Sequence, residues 1–275
     1  MNLLEALLLG IIQGLTEFLP ISSSAHVQIA QELMGLSELT KPQLTAFIAT
    51  IQIGTELAVV VYFFRTIIEI LRAFFAEGLR PFSKQSSQSK LGWLIIMGTL
   101  PIVALGLIFQ DFIENQLRQL WVIAVMLIGF GILLGIADRY APKRKTIEEL
   151  NLKSGLVFGL GQALALIPGV SRSGGSITVG LMMGFTREAA ARYSFLLAIP
   201  AVLAAGGYQF LKSYQDLPLD LLWATVAATI VSFLVGYSVI AWLLKYLSRG
   251  SFMPFVIWRV GVGTLLLAGL GLGLI

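Results

Sequence analysis

The sequence predicts an all-α polytopic membrane protein with about six spanning helices and two re-entrant helical hairpins in an inverted-topology repeat. Three observations carry that prediction. The 275 residues are 57% hydrophobic and only 12% charged, with a mean hydropathy of +0.86, and several apolar runs are long enough to cross a hydrocarbon core of about 30 Å. Four other apolar pieces are broken from their neighbours by Pro, Gly and Ser and pair naturally as hairpins. Basic residues gather in two stretches that orient the halves oppositely across the bilayer.

Taken in order, residues 2–18 and 22–34 form the first hairpin; Glu17 argues against reading 2–18 as an ordinary span. Spans follow near 43–65, 91–110 and 119–138. A second hairpin occupies 154–167 and 172–184, followed by spans near 188–211, 219–245 and 253–274. Arg65, Arg72, Arg80, Lys84 and Lys90, and then Arg139, Lys143, Arg144, Lys145 and Lys153, mark 65–90 and 139–153 as cytoplasmic. The loops at 111–118 and 212–218 set Arg118 and Lys212 against Asp111, Glu114 and Asp216 and belong outside. The whole chain, 1–275, then reads as one integral membrane domain. Its halves are about 1–138 and 154–275, joined by a cytoplasmic linker at about 139–153. A single cleavable signal peptide does not account for apolar content spread this widely, so the N-terminus is expected to be retained. With no cysteine there is no disulfide or thiol chemistry. No basic tract with interleaved aromatics suggests nucleic acid.

A weak internal repeat supports the two halves. Gly10-Ile11-Ile12-Gln13 followed by Pro20-Ile21-Ser22-Ser23-Ser24 recurs as Gly159-Leu160-Gly161-Gln162 followed by Pro168-Gly169-Val170-Ser171-Arg172-Ser173, with one residue less between Gln and Pro. Inverted repeats with broken helices place polar sites near the midplane, so the two segments are expected to face each other. Each sets serines and free backbone N–H groups after a proline and ahead of a short helix, an arrangement suited to phosphate. Arg172 adds a planar, permanently charged fork for phosphate oxygens. Ser22 and Ser23 precede the only histidine, His26, by four and three residues, which on a helix puts hydroxyl and imidazole on one face. Serines at such positions also serve as caps. Gln13 and Glu17, spaced i,i+4, suit shared coordination of a divalent cation with water and phosphate oxygens, weak in the absence of substrate.

These two segments resemble the motifs of the undecaprenyl-diphosphatase family. The first family motif is met by Gln13, Glu17, Phe18, Leu19, Pro20, Ser22, Ser23 and His26, and the second by Pro168, Gly169, Ser171, Arg172, Ser173 and Gly174. The similarity runs through Phe255-Val256-Ile257-Trp258-Arg259 and so covers nearly the whole chain. The resemblance implies a bacterial plasma-membrane hydrolase that converts undecaprenyl diphosphate to undecaprenyl phosphate, recycles a lipid carrier for cell-wall synthesis and bears on bacitracin resistance. It implies Ser23 as nucleophile, Glu17 and His26 as acid/base or metal-supporting groups, and Arg172 as diphosphate clamp. Ser22, Gly169, Ser171, Ser173, Gly174 and Thr178 would line the substrate, and Glu17 and Gln13 would hold Mg2+ or Ca2+. Expected partners are the polyprenyl diphosphate, membrane lipids and a second copy of the chain, but no nucleic acid, and the site is expected to open to the outer face. Whether serine forms a phospho-enzyme or orients water stays open. Two departures stand out: Gln13, where many relatives carry Glu, and Glu56, expected to be apolar. Glu56 shares a helix face with Gln52 and is a candidate partner for Arg259. A transporter or flippase is the main alternative, but it leaves the Ser23, His26 and Glu17 grouping unexplained. A histidine-nucleophile phosphatase would need two histidines.

Overall fold

A computed structural model describes residues 1–36 and 39–274, apart from the side chains of Glu114 and Asn115. Glu114, counted above among the outside charges, therefore lies outside the described side chains. Among the described residues the chain is α-helical without a β-strand, and six helices are long and apolar enough to cross a membrane. This is a multi-pass membrane protein. Side chains such as Leu107, Ile108, Trp223 and Leu265 stay exposed on the spans, as a lipid-facing surface requires.

The first pair of short helices is α1 (Leu3–Phe18) and α2 (Ser23–Met34). Asn2 and Glu5 form a capping box that starts α1. Pro20 follows its end at once, and Gly35 in the left-handed region closes α2. Twelve residues give α2 a length of roughly 18 Å, well short of a hydrocarbon core. Next comes the span α3 (Lys41–Tyr62), opened by a Thr40/Gln43 capping box. Then α4 (Phe64–Glu77), α5 (Ser87–Ile108), α6 (Gln110–Gln116) and α7 (Leu120–Tyr140) complete the first half. The second half repeats the pattern with α8 (Leu152–Ala163), α9 (Arg172–Met182), α10 (Arg187–Ser213), α11 (Leu222–Leu247) and α12 (Met253–Gly271).

Sequence reading treats 65–90 as a basic connection, but its first part is the amphipathic helix α4. Among its residues only Ile70 is buried, and the apolar side lies on α5, where Ile70 and Phe74 meet Gly92. The following turn is fastened by Gln85, whose amide donates to the Gly78 and Arg80 carbonyls at 2.9 and 2.8 Å.

Helix pairing follows the repeat. α1 packs on α11 as α8 packs on α5, α3 on α11 as α10 on α5, while α3 meets α10 and α7 meets α12. Exchanging the halves interchanges the first two pairs of contacts and maps α3 with α10, and α7 with α12, onto themselves. Both short helices lie backbone to backbone with a span: Gly10 rests against the Ala228 backbone and Gly159 against Gly98, where a Cβ would collide with main chain. At the far end of α7 the buried carboxylate of Asp138 accepts from Arg187 Nε at 2.5 Å and from the Phe252 amide at 2.9 Å. That one side chain joins the end of α7 to the starts of α10 and α12.

Candidate active site

The site is built on two turns with the same backbone. Ser22 and Ser171, each the N-cap of a short helix, have φ of +75° and +72°. That region is costly for any residue but glycine and persists only where surroundings enforce it. In the first turn the Ser22 hydroxyl accepts from the Ala25 amide at 3.4 Å and pairs with Ser24 at 3.2 Å. In the second, Ser171 accepts from the Gly174 amide at 3.2 Å and pairs with Ser173 at 3.1 Å. The one-residue difference between the repeats is absorbed upstream, where α1 runs as α-helix to Phe18 but α8 tightens into a 3-10 turn at Leu164–Leu166.

The two motifs meet at Glu17. Arg172 Nη2 donates to its Oε1 at 2.5 Å, and Ser23 Oγ donates to its Oε2 at 2.6 Å. Gln13 Nε2 also donates to Oε2, at 2.9 Å, and reaches Thr55 on α3 at 3.3 Å. Ser173 donates to the Leu19 carbonyl at 3.1 Å, tying the second motif to the first turn. The expected imidazole activation of a serine is not what the structure shows. Ser23 is bonded to Glu17, while His26 Nδ1 lies 2.8 Å from the Ser22 carbonyl and its Nε2 accepts from Trp258 Nε1 at 2.7 Å. The reason is local: a ring at i+4 of the cap folds back onto the cap's own carbonyl.

Sequence reasoning missed the group that holds the turns together. Arg259, wholly buried, spends its guanidinium on five backbone carbonyls and no side chain, one from Nε, one from Nη1 and three sharing the two hydrogens of Nη2. The carbonyls are those of Leu127 at 3.2 Å, Pro20 at 2.9 Å, Met126 at 3.3 Å, Gly169 at 2.9 Å and Val170 at 3.0 Å. Its carbonyl partners therefore come from both turns and from α7. The expected pairing of Arg259 with Glu56 is overturned, because α12 delivers the guanidinium to these carbonyls. Glu56 instead accepts from Gln52 at 3.2 Å and lies against Gly206 of α10, where a Cβ would strike the carboxylate. An arginine alone in an apolar last helix was the available signal.

Of the expected substrate-lining residues, Ser22, Gly169, Ser171, Ser173 and Gly174 all sit in or beside the turns. Gly169 uses φ +95° to pass close to Ile123 of α7. Thr178 lies a turn further along α9 and donates to the Gly174 carbonyl at 2.7 Å, so its hydroxyl is spent within its own helix. For a cation, no group of three or more His, Cys, Asp or Glu side chains converges among the described residues. Glu17 and Gln13 do offer two oxygen-bearing groups on one helix face. That fits a hard cation only where substrate oxygens and water supply the remaining ligands.

The arrangement joins an acid, a hydroxyl and a cationic fork at two helix N-termini, a combination whose donors suit phosphate oxygens. Residues 6–265 match the family model described as bacitracin resistance protein BacA. The chain is 53% identical over 277 residues to undecaprenyl-diphosphatase 2 of Agrobacterium fabrum, covering 100% of this chain and 98% of the relative. It is 49% identical over 283 residues to the undecaprenyl-diphosphatase of Pseudarthrobacter chlorophenolicus, covering 100% and 99%, and 50% identical over 279 residues to undecaprenyl-diphosphatase 2 of Frankia casuarinae, covering 97% and 94%. A match that takes in both pairs of short helices from residue 6 on and five of the six spans in full, with relatives similar along nearly their entire length, places this chain in the bacitracin resistance protein BacA family.

Proposed function

We propose that the protein hydrolyses undecaprenyl diphosphate to undecaprenyl phosphate and inorganic phosphate, at the junction of the two turns. The observation that carries this reading is the triple engagement of Glu17 by Ser23, Gln13 and Arg172 across the two halves. Family membership and full-length similarity to undecaprenyl-diphosphatases support the same activity. As a diphosphate enters, Arg172 turns its fork from Glu17 to the phosphate oxygens, which leaves that carboxylate free to take a proton. Ser23 Oγ attacks the terminal phosphorus while its proton passes to Glu17, and the bridging P–O bond breaks with its electron pair leaving on the lipid phosphate. Water then attacks the same phosphorus, the Ser23 Oγ–P bond breaks with Oγ taking back the proton held by Glu17, and inorganic phosphate carrying the water oxygen leaves. Charge building on the equatorial oxygens is met by Arg172 and by the free amides of α2 and α9.

A divalent cation, Mg2+ or Ca2+, bound with the substrate would be held by Glu17 and Gln13 and would neutralise diphosphate charge. In the orientation that the basic stretches favour, 65–90 and 139–153 face the cytoplasm and the site opens to the outer face of the plasma membrane. Phosphate release from purified protein with a long-chain prenyl diphosphate, with and without chelator, tests the reading. Release is expected with the metal and strongly reduced without it; no release in either case would overturn the assignment.

A further inference from the structure

His26 has an unusual position for the only imidazole of a phosphate-handling site, because both of its nitrogens are committed to partners of fixed polarity. The Ser22 carbonyl can only accept and the indole N–H of Trp258 can only donate. The ring is therefore the Nδ1–H tautomer with a bare Nε2, and its plane lies nearly parallel to the indole's, at 14°. Ser22 O also accepts the His26 backbone N–H at 3.2 Å. Its peptide plane, which leads directly into Ser23, is thus fixed twice by one residue. We propose that Trp258 is a positioning residue: its indole N–H locks the His26 tautomer, and the locked ring holds the Ser22 peptide so that Ser23 stays on Glu17. This rests on the reading of Ser23 and Glu17 as the reacting pair.

Protonating Nε2 would set two donors against each other, and burial of the ring, followed by repulsion from Arg259 beside Trp258 on the same helix, also disfavours a second positive charge. His26 is held neutral and is not the base. Trp258 is 53% exposed, so replacing it by phenylalanine opens no packed core.

The single histidine makes the test direct, since the full chain labelled with 15N-histidine in detergent gives the two ring-nitrogen signals of one imidazole. Wild type is expected to show the Nδ1–H tautomer unchanged from about pH 5.5 to 8. In Trp258→Phe the ring should mix tautomers and titrate, turnover should fall roughly two- to tenfold through kcat rather than KM, and a new acid limb should enter the rate profile. His26→Asn, which keeps an N–H donor for the Ser22 carbonyl, should retain far more turnover than His26→Ala. A wild-type ring that titrates or carries its proton on Nε2 overturns the proposal. So does a Trp258→Phe variant with unchanged tautomer and pH profile, or equal losses in His26→Asn and His26→Ala. The tautomer is read without turnover, so a failure of Ser23 as nucleophile is distinguishable from a failure of the lock.

Discussion

The turn at Ser22 and the turn at Ser171 share backbone, cap hydrogen bonds and serine pairs, yet they carry opposite chemistry. The first residue of the helix is Ser23 in one and Arg172 in the other. One turn upstream the contrast is sharper. Gln13 donates to Glu17, four residues on, whereas its counterpart Gln162 has Leu166 at that position. Both amide atoms of Gln162 are buried without a hydrogen-bond partner among the described residues. A scaffold built twice can hold an anion twice, but in the proposed reaction Glu17 and Ser23, the acid and nucleophile, belong to one copy and Arg172, the cationic clamp, to the other. The lesson is that symmetry here supplies the cradle and asymmetry supplies the reaction.

The strongest way to break that comparison is at the first helical residue. Ser23→Ala should cut phosphate release roughly 10²- to 10⁴-fold, while Ser24→Ala should cost only a few-fold, because only Ser23 touches Glu17. Equal losses would mean that the serines merely cap. Next in size, Arg172→Lys should lower kcat/KM roughly 10- to 100-fold, since one ammonium replaces a fork and loses charge-assisted bonds worth about 1.5–3 kcal/mol each. Near-normal kinetics would remove Arg172 from the clamp.

The glutamines sharpen the contrast. Gln13→Leu strips a donor from Glu17 and should reduce turnover roughly two- to tenfold. Gln162→Leu removes an unpartnered amide from the interior and should leave turnover intact while raising the unfolding temperature, by an equivalent of about 1–3 kcal/mol. A Gln162→Leu protein that melts lower would give that side chain an essential role. The smallest expected effect is at the caps: Ser171→Gly relieves a positive φ but loses one cap bond, and should shift stability by less than about 1 kcal/mol in a thermal scan.

How much of this was legible beforehand depends on sequence distance. The spans and the four short helices lie close to their expected positions, because hydrophobic runs and Pro, Gly and Ser breaks are local signals. Helix α4 was hidden by its own arginines, Arg65 and Arg72, which read as loop while the opposite face packs on α5. Glu17, Ser23 and Arg172 announced themselves as polar groups in an apolar chain. Their bonding pattern did not, since Arg172 reaches Glu17 across 155 residues and Trp258 reaches His26 across 232. No local spacing rule forecasts which of two nearby acceptors a hydroxyl or a ring will choose.

The Arg259 knot has a mechanical consequence. One guanidinium fastens the Pro20 turn, the Gly169 turn and the α7 backbone to α12, so the two halves share a single rivet where a rocking carrier would need a bearing. Letting one half pivot would strand up to four buried N–H groups, at about 1–3 kcal/mol apiece. The two turns are then held as one rigid block, so under the proposed reaction the substrate, and not one half of the protein, is what would have to move.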